Sequence, residues 1–251
     1  MKSTRIGVAA LLVALGAGAL AAPAMAQCTS PVLMCFSSDN YAYETLYNNA
    51  TLMSSTGSML TVVGRINSFA PPLDFLNANM PAKEYTFIWN LVTQAPGTVQ
   101  TIPGKVWDTD YASAAQLGTF TIYEGTPPNS PSTATLPASP PNALVPSTFT
   151  DGIAILSGTM SYFHVRVTFT GTPARYAGSF NATYNITGGT WGYIFDPSTA
   201  ANLTGLWCTL GTGLNQCTLP AGYSALVSGK TDSPPVPTQR STWGSIKTLY
   251  R

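Results

Sequence analysis

Charge is scarce in this chain. Asp, Glu, Lys and Arg together make up 8% of its 251 residues, against about 25% in ordinary soluble proteins. With so few Lys and Arg there is no basic surface to contact a phosphate backbone, which excludes nucleic acid, or to bind an anionic membrane face. Histidine is almost missing as well: His164 is the only one. Any Ser-His or Cys-His nucleophilic site would have to pass through it, and no G-x-S-x-G elbow occurs in the sequence. The helix formers Glu, Lys and Arg are thin throughout, whereas Gly, Pro, Thr, Ser, Asn and Tyr are plentiful. That balance favours strands solvated by hydroxyls and amides, and so an all-β fold.

Long apolar runs are confined to the first residues. Lys2 and Arg5 precede an uncharged apolar stretch, Ile6 to Leu20, and Ala24-Met25-Ala26 has the small-x-small form of a cleavage site. Residues 1–26 therefore read as a secretory signal peptide, with the mature chain beginning at Gln27. The run is too short, and too broken by Pro23, for a membrane anchor, so no transmembrane segment is expected after signal removal. Of the 11 basic residues, Lys2 and Arg5 leave with the signal, so nine face ten acidic groups and the mature formal charge is −1.

The expected location is extracellular or periplasmic, where cysteines oxidise. Four cysteines fall into two local groups, Cys28 with Cys35 and Cys208 with Cys217. Three pairings are open to them, and local pairing is the preferred one. Neither spacing is that of a zinc knuckle.

The clearest pattern lies at residues 162–170. Phe163, Val165, Val167 and Phe169 alternate there with Tyr162, His164, Arg166 and Thr168, as in a half-buried strand. After a Gly/Pro turn, residues 177–187 repeat the pattern with Phe180, Ala182, Tyr184 and Ile186, predicting an antiparallel hairpin. Further strands are predicted at 59–69, 84–93, 98–107, 117–124, 152–159, 190–195 and 223–228. Short strands separated by turn residues predict an all-β fold, an antiparallel β-sandwich or a closed barrel-like domain spanning residues 27–229. Seven prolines make 125–148 a long loop within it. Residues 230–240 read as a Pro-rich linker. Residues 241–251 read as a short amphipathic C-terminal helix whose Trp243, Ile246 and Tyr250 stripe must dock to be stable.

Candidate chemistry is sparse. Asp108 and Asp110 form the one close acidic pair, a D-x-D step that can give two oxygens to calcium but lacks the further ligands of an EF-hand; no other cofactor is expected. Five tryptophans and twelve tyrosines offer material for a sugar platform, yet large aromatics are ordinary core residues of a β domain. The sequence thus points to a secreted, non-enzymatic structural or adhesive binding module of the cell surface or periplasm, meeting a cell-surface polymer or protein. The alternative is a carbohydrate-binding or carbohydrate-active module using exposed aromatics and carboxylates. Two facing carboxylates in a cleft, or an exposed coplanar row of tryptophans, would mark that alternative. An outer-membrane barrel would need a continuous lipid-facing apolar band, for which several strands are too polar.

Overall fold

In a computed structural model of the chain, the described residues are 32–37, 40–48, 51–95, 97–100, 105–126, 128–130, 147–171, 174–209, 219 and 222–232. The expected signal peptide, Cys28, Cys217, the middle of the Pro-rich loop, and the tail with Trp243, Ile246 and Tyr250 lie outside them.

Eleven strands are present among the described residues: β1 (Val32–Phe36), β2 (Asn40–Glu44), β3 (Met59–Phe69), β4 (Glu84–Val92), β5 (Thr98–Gln100), β6 (Lys105–Ala112), β7 (Gly118–Gly125), β8 (Ile153–Gly171), β9 (Ala174–Gly188), β10 (Ala201–Thr209) and β11 (Ala225–Asp232). All pairings between them are antiparallel. The wall runs β3-β4-β7-β8-β9-β10-β11 and closes through β1 and β2, each of which pairs with both β11 and β3. The fold is thus a closed eight-stranded barrel in which β1 and β2 share one position; of the two architectures expected, it is the barrel.

The predicted hairpin is its backbone. Val165 pairs with Phe180 and Phe163 with Ala182 across β8 and β9, and Phe163, Val165, Val167, Phe180, Tyr184 and Ile186 are all buried. The strands predicted at 152–159 and 162–170 are one 19-residue strand, with irregularities at 157/158 and 160/162 that bend it without ending it. β8 is long enough to serve two neighbours: its first half pairs with β7 and its second with β6. Three expectations need correction. The strand predicted at 98–107 is two strands, β5 and β6, and 190–195 holds a 3-10 turn, Gly192–Ile194, in place of a strand. β11 runs to Asp232, so the first three residues assigned to the linker belong to the wall.

Alternation sorts the side chains by surface. One cross-strand row reads Val62, Trp89, Phe120, Gly158, Ile186 and faces the interior. The next reads Thr61, Asn90, Thr119, Thr159, Asn185 and faces out. Phe163 and Phe180 stack in the centre at 5.4 Å between centroids, with Trp89 and Trp207 around them. Each fully buried side chain of this size contributes roughly 1.5–3 kcal/mol. The space left among Phe36, Trp89, Phe120 and Tyr184 is only about 10 Å³. In these two rows the side chains are apolar inside and hydroxyl or amide outside, the reverse of a lipid-facing barrel.

Between β1 and β2 the wall strand is interrupted, and the side chain of Asn40 bridges the gap. Its Oδ1 accepts from the Arg65 N–H at 3.0 Å and its Nδ2 donates to the Val227 carbonyl at 3.0 Å, so the amide stands in for a peptide group between β3 and β11. Ser37 closes the set through its Oγ and its carbonyl. The substitution works because residue 64 is glycine: a Cβ there would lie 2.0 Å from Asn40 Oδ1. On the outer wall, Phe149 of a one-turn helix, α1 (Ser147–Thr150), packs with Tyr41, Val63, Ile88 and Tyr223.

Neither Cys35 on β1 nor Cys208 on β10 is a free thiol. β11 separates their strands, so two strand spacings of ~4.8 Å already exceed the ~7 Å reach of a disulfide. That removes the pairing of Cys35 with Cys208 and leaves two of the three arrangements, local pairing among them. Cys28 and Cys217, on which the choice turns, are outside the described residues.

Candidate functional site

Three places gather chemistry: a charged cluster on the outer wall, a buried carboxylate beneath one barrel end, and the mouth above it. The first arises from two period-2 patterns set opposite each other. On β6, Trp107, Thr109 and Tyr111 point inward and are buried, which turns Asp108 and Asp110 outward. On β8, Phe163, Val165 and Val167 point inward and turn His164 and Arg166 outward. The register pairs Asp108 with Arg166 and Asp110 with His164. Arg166 grips Asp108 through Nε at 2.6 Å and a terminal nitrogen at 3.1 Å. His164 lies between both acids, Nδ1 to Asp110 at 2.8 Å and Nε2 to Asp108 at 3.1 Å. Tyr162 stacks on the imidazole, with planes 7° apart.

The hydrogen bond from Arg166 is the main reason that the Asp108 carboxyl is held below its ordinary range, with His164 adding to the effect. This arrangement does not fit a calcium ion, which takes six to eight oxygens. The Asp108 carboxylate is already engaged by a guanidinium, and among the described residues no group of three His, Cys, Asp or Glu side chains is placed to hold a metal ion. Nor is it the nucleophile–base pair of a hydrolase: both imidazole nitrogens face carboxylates on an open wall. The sequence reading missed these acids beside His164. The D-x-D and H-x-R steps each place like-facing residues two apart, and only the strand pairing brings them together.

The second place is Glu44, inward-facing on β2 and 4% exposed. Its Oε2 accepts from Ser54 Oγ at 2.9 Å and Tyr111 Oη at 2.9 Å, and its Oε1 from Thr93 Oγ1 at 3.1 Å. Burial outweighs these hydrogen bonds and raises the Glu44 carboxyl above its ordinary range. A carboxyl raised by folding holds its proton more tightly in the native state than in the unfolded chain. Its contribution is therefore full below the unfolded value and is lost as pH rises through the folded one. We expect the stability of the protein to fall over that window, and Glu44→Gln to flatten the slope while keeping an acceptor for Ser54, Thr93 and Tyr111. Urea unfolding at a series of pH values measures it; an unchanged slope in the variant would place the titration elsewhere.

Directly above Glu44, residues 51–54 fold over the barrel end. Trp107 Nε1 donates to the Thr51 carbonyl at 3.0 Å, and Gly97 N–H to the Ser54 carbonyl at 3.2 Å. Leu52 is held at φ 57° although it is not a glycine, a conformation that costs roughly 1–3 kcal/mol and persists only where its surroundings impose it. Between this loop and the extended ends of β5, β6, β8 and β9 lies a pocket of about 470 Å³, lined by Thr51, Leu52, Met53, Val99, Lys105, Trp107, Phe169 and Tyr176. A shallower groove of about 630 Å³ crosses the outer wall at the β1/β2 interruption. Gly205 and Gly229 face each other there, with Leu206, Asn181 and Lys230 around them.

Tryptophan makes no platform among the described residues: Trp89, Trp107 and Trp207 are buried, and Trp191 is half-buried against Phe75. Of the two marks expected for a carbohydrate-active site, the coplanar tryptophan row is absent among the described residues. The facing acids that do occur sit on a wall and hold a histidine. No protein-family model, curated protein or solved structure matches the chain.

Proposed function

We propose that this chain is a secreted, non-enzymatic binding module of the cell surface or periplasm, recognising its partner by contact at the barrel surface. The observation that carries this reading is the placement of its polar chemistry. The only histidine is locked between two acids on an open wall. The barrel mouth and the outer-wall groove are lined by apolar, hydroxyl and amide groups, each with a single lysine. Such surfaces supply shape and apolar contact, not proton transfer.

Screening the mature protein against glycoside, ester and peptide substrates is expected to show no turnover, and His164→Ala should leave the melting temperature within a few degrees of wild type. The loss of exposed ion pairs of this kind is worth roughly 0–1 kcal/mol. Turnover abolished by replacing His164, Asp108 or Asp110 would overturn the reading.

A further inference from the structure

The barrel mouth combines features that the wall does not. Trp107, Phe169 and Tyr176 form a continuous aromatic surface, with Phe169 and Tyr176 centroids 4.7 Å apart and Trp107 and Tyr176 centroids 6.0 Å apart. Leu52 and Met53 close the opposite side from a loop whose backbone is held in an unfavourable conformation, the kind of local strain that collects at ligand clamps. The volume, about 470 Å³, falls within the ~300–1,000 Å³ of small-molecule sites. Among the described residues the lining includes one cation, Lys105, and no acid, and Lys105 takes part in no ion pair. Next to Trp107 the interior holds the packed, buried rings of Tyr111, Phe163 and Trp207, so a ligand would rest on the mouth and not enter the interior.

We infer that the mouth binds a small organic anion: a planar apolar body laid on Phe169 and Tyr176, with its carboxylate or sulfonate turned to Lys105. Aromatic faces favour a flat ligand by stacking. An ammonium at the rim with no ion-pair partner among the described residues favours one negative charge. The proposal rests on the reading of the chain as a binding module and names the ligand class for one of its surfaces.

The test is a fluorescence titration of the full mature protein with two probes of similar body, the anionic 1-anilinonaphthalene-8-sulfonate and the uncharged N-phenyl-1-naphthylamine. Thermal melting of each variant confirms that it is folded. Saturable one-site binding of the anionic probe is expected. Lys105→Met, which keeps the alkyl stem, should weaken the anion about five-fold and leave the neutral probe unchanged. Tyr176→Ala should weaken both about ten-fold. Should Tyr176→Ala not fold, Val99→Asp serves instead: Val99 is 44% exposed, and an acid there should repel the anion selectively. No saturable binding, or affinities untouched by the Lys105 and mouth variants, would overturn the inference. Turnover in the substrate screen would refute the non-enzymatic reading without touching this titration, and a silent screen with no probe binding would refute only the mouth.

Discussion

Val167→Asp is expected to leave no folded barrel at neutral pH, whereas Thr168→Asp, one residue along, should shift the unfolding midpoint only slightly. Val167 is inward and buried, paired with Trp107 on one side and Gly178 on the other. An ionised carboxylate there has no partner, and the effective penalty of several kcal/mol for such a charge consumes most of a typical stability of roughly 5–15 kcal/mol. Thr168 points outward beside the same strand's Arg166, where a new acid costs about 0.5 kcal/mol or less. Circular dichroism during urea unfolding separates the two. Equal shifts would mean that the register of β8 is wrong by one residue, since a slip of one exchanges the two faces.

The second large effect is expected at the wall interruption. Asn40→Ala removes an amide that satisfies Arg65 N–H, Ser37 and the Val227 carbonyl in a position with no solvent exposure. Buried groups left unpaired cost roughly 1–3 kcal/mol each, so a loss of about 2–4 kcal/mol is expected even with partial relaxation. Gly64→Ala should be comparably damaging, because its new methyl would meet Asn40 Oδ1 at 2.0 Å. The double variant Gly64→Ala with Asn40→Gly tests the geometry: Asn40 Cβ itself would lie 2.5 Å from the new methyl, so only removal of the whole side chain opens the space, and the combined loss should then be smaller than the sum of the two single losses by more than about 0.5 kcal/mol. Strict additivity would show that the two residues do not share that space.

These two sites also mark what was legible in the sequence. The hairpin of β8 and β9 was readable because its alternation is strict over both strands, and a half-buried strand imposes period 2 on side-chain polarity. β1, β2 and β10 were not readable. In β2 the inward position 44 is a glutamate, and in β10 Leu206 is apolar yet 67% exposed, so neither strand shows alternation. Asn40 looks like a turn residue in sequence, since its role as a substitute peptide group depends on Gly64 and Val227, distant in the chain. The same holds for the candidate sites. Asp108 and Asp110 were visible as a pair, but their engagement with His164 and Arg166 is a property of strand register. The mouth joins residues from four separate stretches, 51–53, 99, 105–107 and 169–176, and no local pattern announces it.

The binding account is tested most directly by residue-level mapping of the probe anion on the folded protein. In a ¹H–¹⁵N spectrum titrated with 1-anilinonaphthalene-8-sulfonate, the Trp107 indole N–H, which donates to the Thr51 carbonyl, should shift together with the amides of Thr51, Leu52, Met53, Phe169 and Tyr176. The outward residues of β9 and β10 should stay in place. Shifts centred on Leu206, Asn181 and Lys230, with the Trp107 indole unmoved, would contradict the account and move the binding surface to the outer-wall groove.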